Sequence, residues 1–388
     1  MMPQILHIDL DGFFVAVERS RHPELWGEPV VIGGRPDSVG RVAAASVEAR
    51  AADVSVGLPL REAAQRCPAA RFLPGDLDEY GQVADAADAI LRRAFAGVEW
   101  VSLDEAYVDA ASLRPGVGGL VAATEGIQAA LRDELQVPAS CGLGGSKITA
   151  RVASHLARPS GLIYVLPSYD RRFLAPLAIA LLPGLPESLR ASLISRGIET
   201  IGDLAGLSDD AVAASAELAL WRRLASGDDD RVVVGSPCPR AVSVHITLEG
   251  AVVDADGLAR RVRELARDLA SQLGARRLLA RQLTVRAVDI AQATHTGTIS
   301  LTTAASSPTV LAGAAVRALQ RALAWSRSVT RVSVRASSLC PGDLQPSLFA
   351  SRDLQSRNGP RARTARGFRD LERILLAAGD RTLTRRAS

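Results

Sequence analysis

Three carboxylates stand where a chain could hold metal ions. Asp9 ends the apolar run Ile5 to Asp9, and Asp104-Glu105 form a tight acidic turn between the β-type runs Val98 to Leu103 and Ala106 to Ala110. A buried strand ending in acid, together with a hairpin carrying two carboxylates at its tip, suits magnesium, which takes a few carboxylate oxygens and completes its shell with water and substrate phosphate. Two such ions can clamp an in-line displacement at phosphorus, one activating the attacking hydroxyl and the other supporting the leaving oxygen. The five histidines (His7, His22, His155, His245, His295) show no ligand spacing such as HExxH, so a metal is expected on carboxylates alone. The four cysteines (Cys67, Cys141, Cys238, Cys340) lie tens of residues apart and read as reduced and buried.

Asp9 and the hairpin meet only if one sheet carries both. The flanking pattern supplies one: a helix over Asp78 to Phe95 before the hairpin, then a helix (Leu120 to Glu134), a strand (Ala139 to Gly144), a helix (Ser146 to Leu156) and a strand (Gly161 to Leu166). Between Asp9 and this body, Val30 to Ile32 and Val39 to Ala45 read as short strands around Gly33-Gly34, and Pro59 to Arg66 as a short helix. Pro176 to Leu204 changes character. A Leu-Pro-Gly-Leu-Pro turn (182 to 186) and Gly197-Ile198 break short helical stretches in the manner of a helix-hairpin-helix, whose turn N–H groups meet phosphate without reading bases. The stretch Asp228 to Arg240, with three aspartates and two prolines, reads as a linker. Beyond it the pattern is strand (Val242 to Leu248), helix (Ala255 to Leu273), strand (Leu278 to Val288), strand (His295 to Leu301), helix (Pro308 to Trp325) and strand (Thr330 to Ala336), one β-α-β-β-α-β unit. A tail with a short helix near Phe368 to Ala377 follows.

Composition narrows the function. Of 388 residues, 47% are hydrophobic and 23% charged, enough for two or more domains with cores and too apolar for disorder. No uncharged run reaches membrane-spanning length, and the first residues carry no basic-then-apolar signal, so a cytoplasmic protein without membrane contact is expected. The net charge of +4 conceals an asymmetry. Residues 1–235 hold 22 basic and 31 acidic side chains, whereas 236–388 hold 24 and 11. The C-terminal part should seek polyanions.

At this point the residues converge on a family. Asp9-Leu10-Asp11-Gly12-Phe13-Phe14-Val15-Ala16-Val17-Glu18, then Ser102-Leu103-Asp104-Glu105-Ala106-Tyr107, resembles Y-family DNA polymerases of the DinB type. Glu48-Ala49-Arg50, Gly57-Leu58-Pro59, Ser140-Cys141-Gly142, Lys147, Ala157-Arg158-Pro159-Ser160-Gly161 and Leu220-Trp221-Arg222 extend the likeness over residues 1 to 340. The resemblance implies a mixed α/β, right-hand polymerase: palm at 1–11 and 77–166, small fingers at 12–76, helix-hairpin-helix thumb at 167–235, a linker at 236–239, little finger at 240–340 and a tail at 341–388.

It also implies roles. Asp9, Asp104 and Glu105 would hold two Mg²⁺ ions, replaceable by Mn²⁺, with the Leu10 carbonyl as a further ligand and Asp11 structural. Phe13, Phe14, Ser46, Val47, Arg50 and Arg158 would line the deoxynucleoside triphosphate, Arg50 as a multidentate donor. Phe14 falls at the steric-gate position, where a ring beneath the sugar excludes a ribose 2′-OH. Primer–template DNA would meet Gly184 in the thumb turn and Arg240, Arg286, Arg331 and Arg335 in the little finger. Gln345-Pro346-Ser347-Leu348-Phe349 resembles the peptide that docks on the sliding β-clamp, with Gln345, Leu348 and Phe349 as anchors. Ala44, Ala45, Val56 and Gly57 would leave a roomy nascent-pair site tolerant of damaged bases.

Three departures stand out. Val47 replaces the usual tyrosine, Arg158 the usual lysine before Pro-Xaa-Gly, and the turn at 183–186 lacks its threonine. The expected activity is error-prone translesion synthesis by a monomer. The other class consistent with these departures is a catalytically weak polymerase-like adaptor that binds DNA and the clamp. A two-metal nucleotide cyclase is disfavoured, since it needs no basic duplex-binding arm.

Overall fold

The computed structural model describes residues 4–342 except 115–118, 214, 237, 253–254, 291–292 and 324–327. The proposed clamp peptide and the tail helix lie outside the described residues. The chain divides after Ser236 into two compact units.

In the first unit, β1 (Ile5–Leu10) leads into α1 (Phe13–Arg21). Then come β2 (Val30–Ile32), β3 (Ala44–Ala45), α2 (Val47–Arg50), α3 (Leu60–Arg66), β4 (Arg71–Leu73) and α4 (Leu77–Ala94). The hairpin strands β5 (Glu99–Trp100) and β6 (Glu105–Asp109) are followed by α5 (Leu120–Leu135), β7 (Ala139–Gly144), α6 (Lys147–Leu156) and β8 (Leu162–Tyr164). Five of these strands form one sheet in the order β5-β6-β1-β7-β8, with β1 at its centre, antiparallel to both neighbours.

Strand alternation decides which residues of β1 face what, because successive side chains point to opposite faces. Leu6, Ile8 and Leu10 join Ala106, Val108, Cys141 and Leu143 in a core closed by Ala84, Ala87 and Leu91 of α4 and by Ile127 and Leu131 of α5. The odd positions Ile5, His7 and Asp9 therefore take the other face, which α6 covers. That helix lies very close to the sheet: a Cβ on Gly142 would sit 2.1 Å from the Ala150 carbonyl oxygen and 2.4 Å from the Ser154 nitrogen. Only glycine fits there, which gives the Ser140-Cys141-Gly142 signature its physical reason.

His7 is an enclosed polar group on this face. It is fully buried, with Nδ1 2.7 Å from the Ser154 hydroxyl, and burial holds its pKa down from 6.5 to about 3. Between those values the unfolded chain takes up a proton that the fold refuses, so stability falls as pH drops from about 6.5 towards 3. His7→Asn should flatten this acid limb: between pH 6.5 and 4.5, urea unfolding should show the wild type losing on the order of 2 kcal/mol more than the variant.

A second, three-stranded sheet has the order β3-β2-β4, with β4 parallel to β2. The expected strand over Val39 to Ala45 shortens to Ala44–Ala45, with Val39 exposed, and β4 joins without having been anticipated. The helical segment that follows comprises α7 (Asp170–Leu174), α8 (Glu187–Ile194), α9 (Ile201–Ala205), α10 (Asp209–Val212) and α11 (Ala216–Ala225). Gly184 and Gly197 turn the chain at φ +82° and +80° on either side of α8, and Thr200 and Asp203 form a capping box at the start of α9. The stretch after Gly227 is no free linker as far as Ser236. Asp229 accepts a hydrogen bond from the Ile148 N–H, Arg92 donates to the Ser236 carbonyl, and Ser236 bridges Val98.

The second unit runs β9 (Ala241–Val252), α12 (Ala255–Ala275), β10 (Leu278–Asp289), β11 (Thr294–Ala305), α13 (Pro308–Ala322), β12 (Val329–Ser337) and β13 (Cys340–Pro341). This is the expected β-α-β-β-α-β unit. Its sheet order is β11-β10-β12-β9, and α12 and α13 bury one face over Leu283, Val285, Ala287, Val332, Val334 and Ala336. The opposite parity carries Arg331, Ser333 and Arg335 on β12, in register with Thr247, His245 and Ser243 of β9.

Candidate active site

The register of β1 on β6 sets Asp9 directly opposite Glu105. Both carboxylates stand on the α6 face at the strand end, Asp9 almost fully buried. Gly12, in the left-handed conformation at φ +54°, then turns the chain sharply from β1 into α1. The turn brings Phe13 and Phe14 close behind Asp9. Residues 101–104 close the hairpin, the Leu10 N–H donating to the Asp104 carbonyl at 2.8 Å. The Asp104 side chain accepts from the Ser102 hydroxyl at 2.6 Å, and burial raises its pKa.

Helix α6 supplies the counter-charge. Arg151, His155 and Arg158 follow one another at i, i+4 and i+7, a single face prolonged just past the helix end. Arg151 pairs with Glu105 at 2.7 Å, and Arg158 donates to Asp9 Oδ2. His155 Nε2 lies 3.5 Å from Asp9 Oδ2 and 3.7 Å from Glu105 Oε1. The two acids differ sharply. Burial lifts Asp9 to about 6 against the pull of Arg158, whereas at Glu105 burial is outweighed by the His155 imidazole and the Arg151 charge, which hold it at about 2. A pair of acids so placed can accept a dication, provided that Arg158 leaves Asp9.

Of the expected metal residues, the structure therefore brings Asp9 and Glu105 together. Asp104 directly precedes Glu105, its carbonyl bonded to the Leu10 N–H and its carboxylate hydrogen-bonded to Ser102. Among the described residues, ligand-type atoms of Asp9, Glu105 and His155 lie within 4.8 Å of one another, so a histidine stands in the cluster where carboxylates alone were expected. Sequence reading missed Arg151 and His155. Their spacing with Arg158 on a helix behind a glycine-bearing strand was the available signal. Asp11 has the structural part expected: its carboxylate accepts from the Ser140 hydroxyl at 2.8 Å and from the Ser160 N–H at 2.8 Å.

The remaining expected residues divide. Phe13 is buried in the core, and Phe14 is half-buried and stacked on Tyr80, ring centroids 4.6 Å apart and planes 23° apart. Tyr80 is itself fixed, its hydroxyl donating to Glu18 at 2.6 Å. Val47 and Arg50 are exposed on α2. Ser46 is buried, and its hydroxyl accepts from the N–H groups of Val30 and Ala49, capping α2. A hydroxyl so engaged serves as a structural cap of α2. Lys147 is likewise engaged, its Nζ 2.7 Å from Glu99. In the second unit Arg331 is exposed, while Arg335 and Arg240 are half-buried. Arg286 stands opposite Ser333 on the sheet face that carries Arg331 and Arg335; it is 5% exposed and donates to the Thr294 hydroxyl at 3.2 Å.

Comparison with known proteins decides the family. Residues 8–155 match the impB/mucB/samB family and residues 239–348 that family's C-terminal domain. The DNA polymerase IV of Methanoculleus marisnigri is 36% identical over 318 residues, 80% of this chain and 88% of that protein. The chain belongs to the DinB type of Y-family DNA polymerases. The DNA polymerase IV of Halorhodospira halophila is 32% identical over 356 residues, 90% of this chain and 98% of its own. Among solved structures, DinB from Sulfolobus solfataricus matches with a TM-score of 0.55 at 22% identity, covering 86% of this chain and 98% of that one. An insertion ternary complex of Dbh DNA polymerase matches at 0.54 and 21%, covering 86% and 98%. The fold is accordingly the right-hand Y-family architecture, with palm, fingers, thumb and little finger. Y-family membership implies divalent-metal chemistry, and the acids of this chain fit it: two are buried against each other with their charge balanced by arginines. Among the described residues no helix is long and apolar enough to cross a membrane.

Proposed function

We propose that this chain is a template-directed DNA polymerase that extends a primer with deoxynucleotides past damaged bases, with low fidelity. The observation that carries the reading is the pairing of Asp9 with Glu105 across β1 and β6, with Asp104 adjacent, in a Y-family chain. Asp9, Asp104, Glu105 and the Leu10 carbonyl would hold two Mg²⁺ ions, or Mn²⁺ in their place. Bound there, the ions lower the pKa of the primer hydroxyl and neutralise charge on the triphosphate.

The protein's own residues do the rest. Arg158, partly exposed at 45%, leaves Asp9 when the site loads and turns its guanidinium to the triphosphate, where exposed Arg50 adds a second fork. Phe14, backed by Tyr80, closes the sugar side. Residues 1–11 and 77–166 serve as palm, 12–76 as fingers, 167–235 as thumb and 240–340 as little finger. The thumb turn at Gly184, together with Arg240, Arg331 and Arg335, meets backbone phosphates without reading sequence. The basic excess of residues 236–388 supports that division of labour.

The segment 345–349 tethers a monomeric enzyme to the sliding clamp through Gln345, Leu348 and Phe349. Substituting all three by alanine should leave single-nucleotide addition on a short primer–template unchanged, while abolishing the increase in product length that the clamp brings on a long one. Equal stimulation of both proteins by the clamp would remove the segment from the account.

A further inference from the structure

We propose that His155 is a ligand of the metal held by Asp9 and Glu105, and that this nitrogen donor makes the site favour Mn²⁺ and other first-row transition ions over Mg²⁺. The inference deepens the reading of the site as a nucleotidyl-transfer centre. Its first support is geometric. Nε2 of His155 and one oxygen each of Asp9 and Glu105 all lie within 4.8 Å of one another, a spread that ligands of a single ion occupy. They come from three elements, α6, β1 and β6, whose register and packing fix them independently of any ligand.

The second support is hydrogen bonding. His155 Nε2 is a buried atom with no hydrogen-bond partner, and so is Nε2 of His7, a side chain with no exposure at all that lies 4.0 Å from Glu105 Oε2. A buried polar nitrogen without a partner is costly, and two of them near the Glu105 carboxylate, one of these also beside Asp9, mark a place built for something that satisfies them. His7 is anchored through Nδ1 to Ser154 and backs the Glu105 carboxylate, whereas His155, on the partly exposed helix face, points its nitrogen between the two acids. Arg158, on the same Asp9 oxygen, supplies the cationic charge there.

The chemistry follows from ligand type. Carboxylate, carbonyl and water oxygens suit Mg²⁺, whereas imidazole adds affinity for first-row transition ions and little for Mg²⁺. One nitrogen among oxygens therefore moves the choice of metal without changing the fold.

The test uses the full chain and Mn²⁺ alone, in the absence of DNA. Electron paramagnetic resonance should show Mn²⁺ bound by the wild type, with ¹⁴N coupling in its pulsed spectrum. His155→Ala and His155→Gln should lose the coupling and weaken Mn²⁺ binding about tenfold or more, while competition by Mg²⁺ changes little. Unfolding temperatures of the variants establish that both fold. Bound Mn²⁺ without ¹⁴N coupling, or affinity unchanged in folded His155→Ala, would overturn the proposal, as would the absence of Mn²⁺ binding by the wild type. Primer extension with the same preparations separates the two readings. A protein that extends primers but shows no nitrogen ligand keeps the polymerase reading and loses this one; a protein with the nitrogen ligand and no extension does the reverse.

Discussion

Asp9→Asn should lower templated nucleotide addition about a thousandfold or more and leave the fold as stable as the wild type, or more so. The two halves of this result have one cause. Asp9 is about 1% exposed, and burial lifts its pKa to about 6, so the folded protein holds an ionised carboxylate at neutral pH at a cost in desolvation. Asparagine removes that cost while keeping shape and one acceptor oxygen. Arg158, the partner left behind, is 45% exposed and turns to water, so no buried charge is stranded. What is lost is the negative oxygen that a dication needs, and with it the electrostatic stabilisation that dominates phosphoryl chemistry. Asp104→Ala should lose activity to the same extent, since it removes another carboxylate proposed to hold the metals. Single-turnover extension and thermal unfolding, run side by side, check both halves. A variant that is inactive because it is unfolded would contradict the argument, and so would one that is folded and active.

The second large effect concerns the sugar. Phe14→Ala should admit ribonucleotides, lowering discrimination against the 2′-OH by roughly a hundredfold, the scale on which one group in a pocket separates substrates. Phe14 also packs against Tyr80 and two apolar clusters, so its removal should cost about 2 kcal/mol of stability, less than for a fully buried ring because Phe14 is half-exposed. Phe14→Leu distinguishes the two parts. It restores much of the packing and keeps bulk beneath the sugar, so it should recover most of the stability and an intermediate discrimination. Competition between dGTP and GTP opposite template dC reads the ratio directly. Unchanged discrimination in Phe14→Ala would mean that the ring is only core.

Much of this site was legible from residue order. β1 and β7, buried on both faces, showed as short apolar or small-residue runs, and α6 and the whole β-α-β-β-α-β unit came from longer patterned runs. The three-residue β4 left none, because it is a strand only by virtue of its partner, and of the strand expected over Val39 to Ala45 only Ala44–Ala45 pairs. Asp9 and Glu105 were legible as strand-end acids, and their meeting follows from the β1–β6 register. Arg151 and His155 were not anticipated, since nothing local says which face of α6 covers the sheet; Gly142, too small to hold the helix away, is the residue that does. Ser46 and Arg286 carry structural duties that residue type does not announce: Ser46 caps α2, and Arg286, on the sheet face of Arg331 and Arg335, is largely buried and bonded to Thr294.

The central claim is that this chain copies a template. The most direct measurement is addition of single nucleotides to a primer by the wild-type protein in Mg²⁺ and, separately, in Mn²⁺, with each of the four template bases at the first unpaired position. The account predicts that the complementary deoxynucleotide is added at every template base, that chelation of the metal stops it, and that mismatched additions are frequent. A protein that binds the primer–template yet adds nothing with either metal would contradict the account and leave a DNA-binding, clamp-bound adaptor in its place.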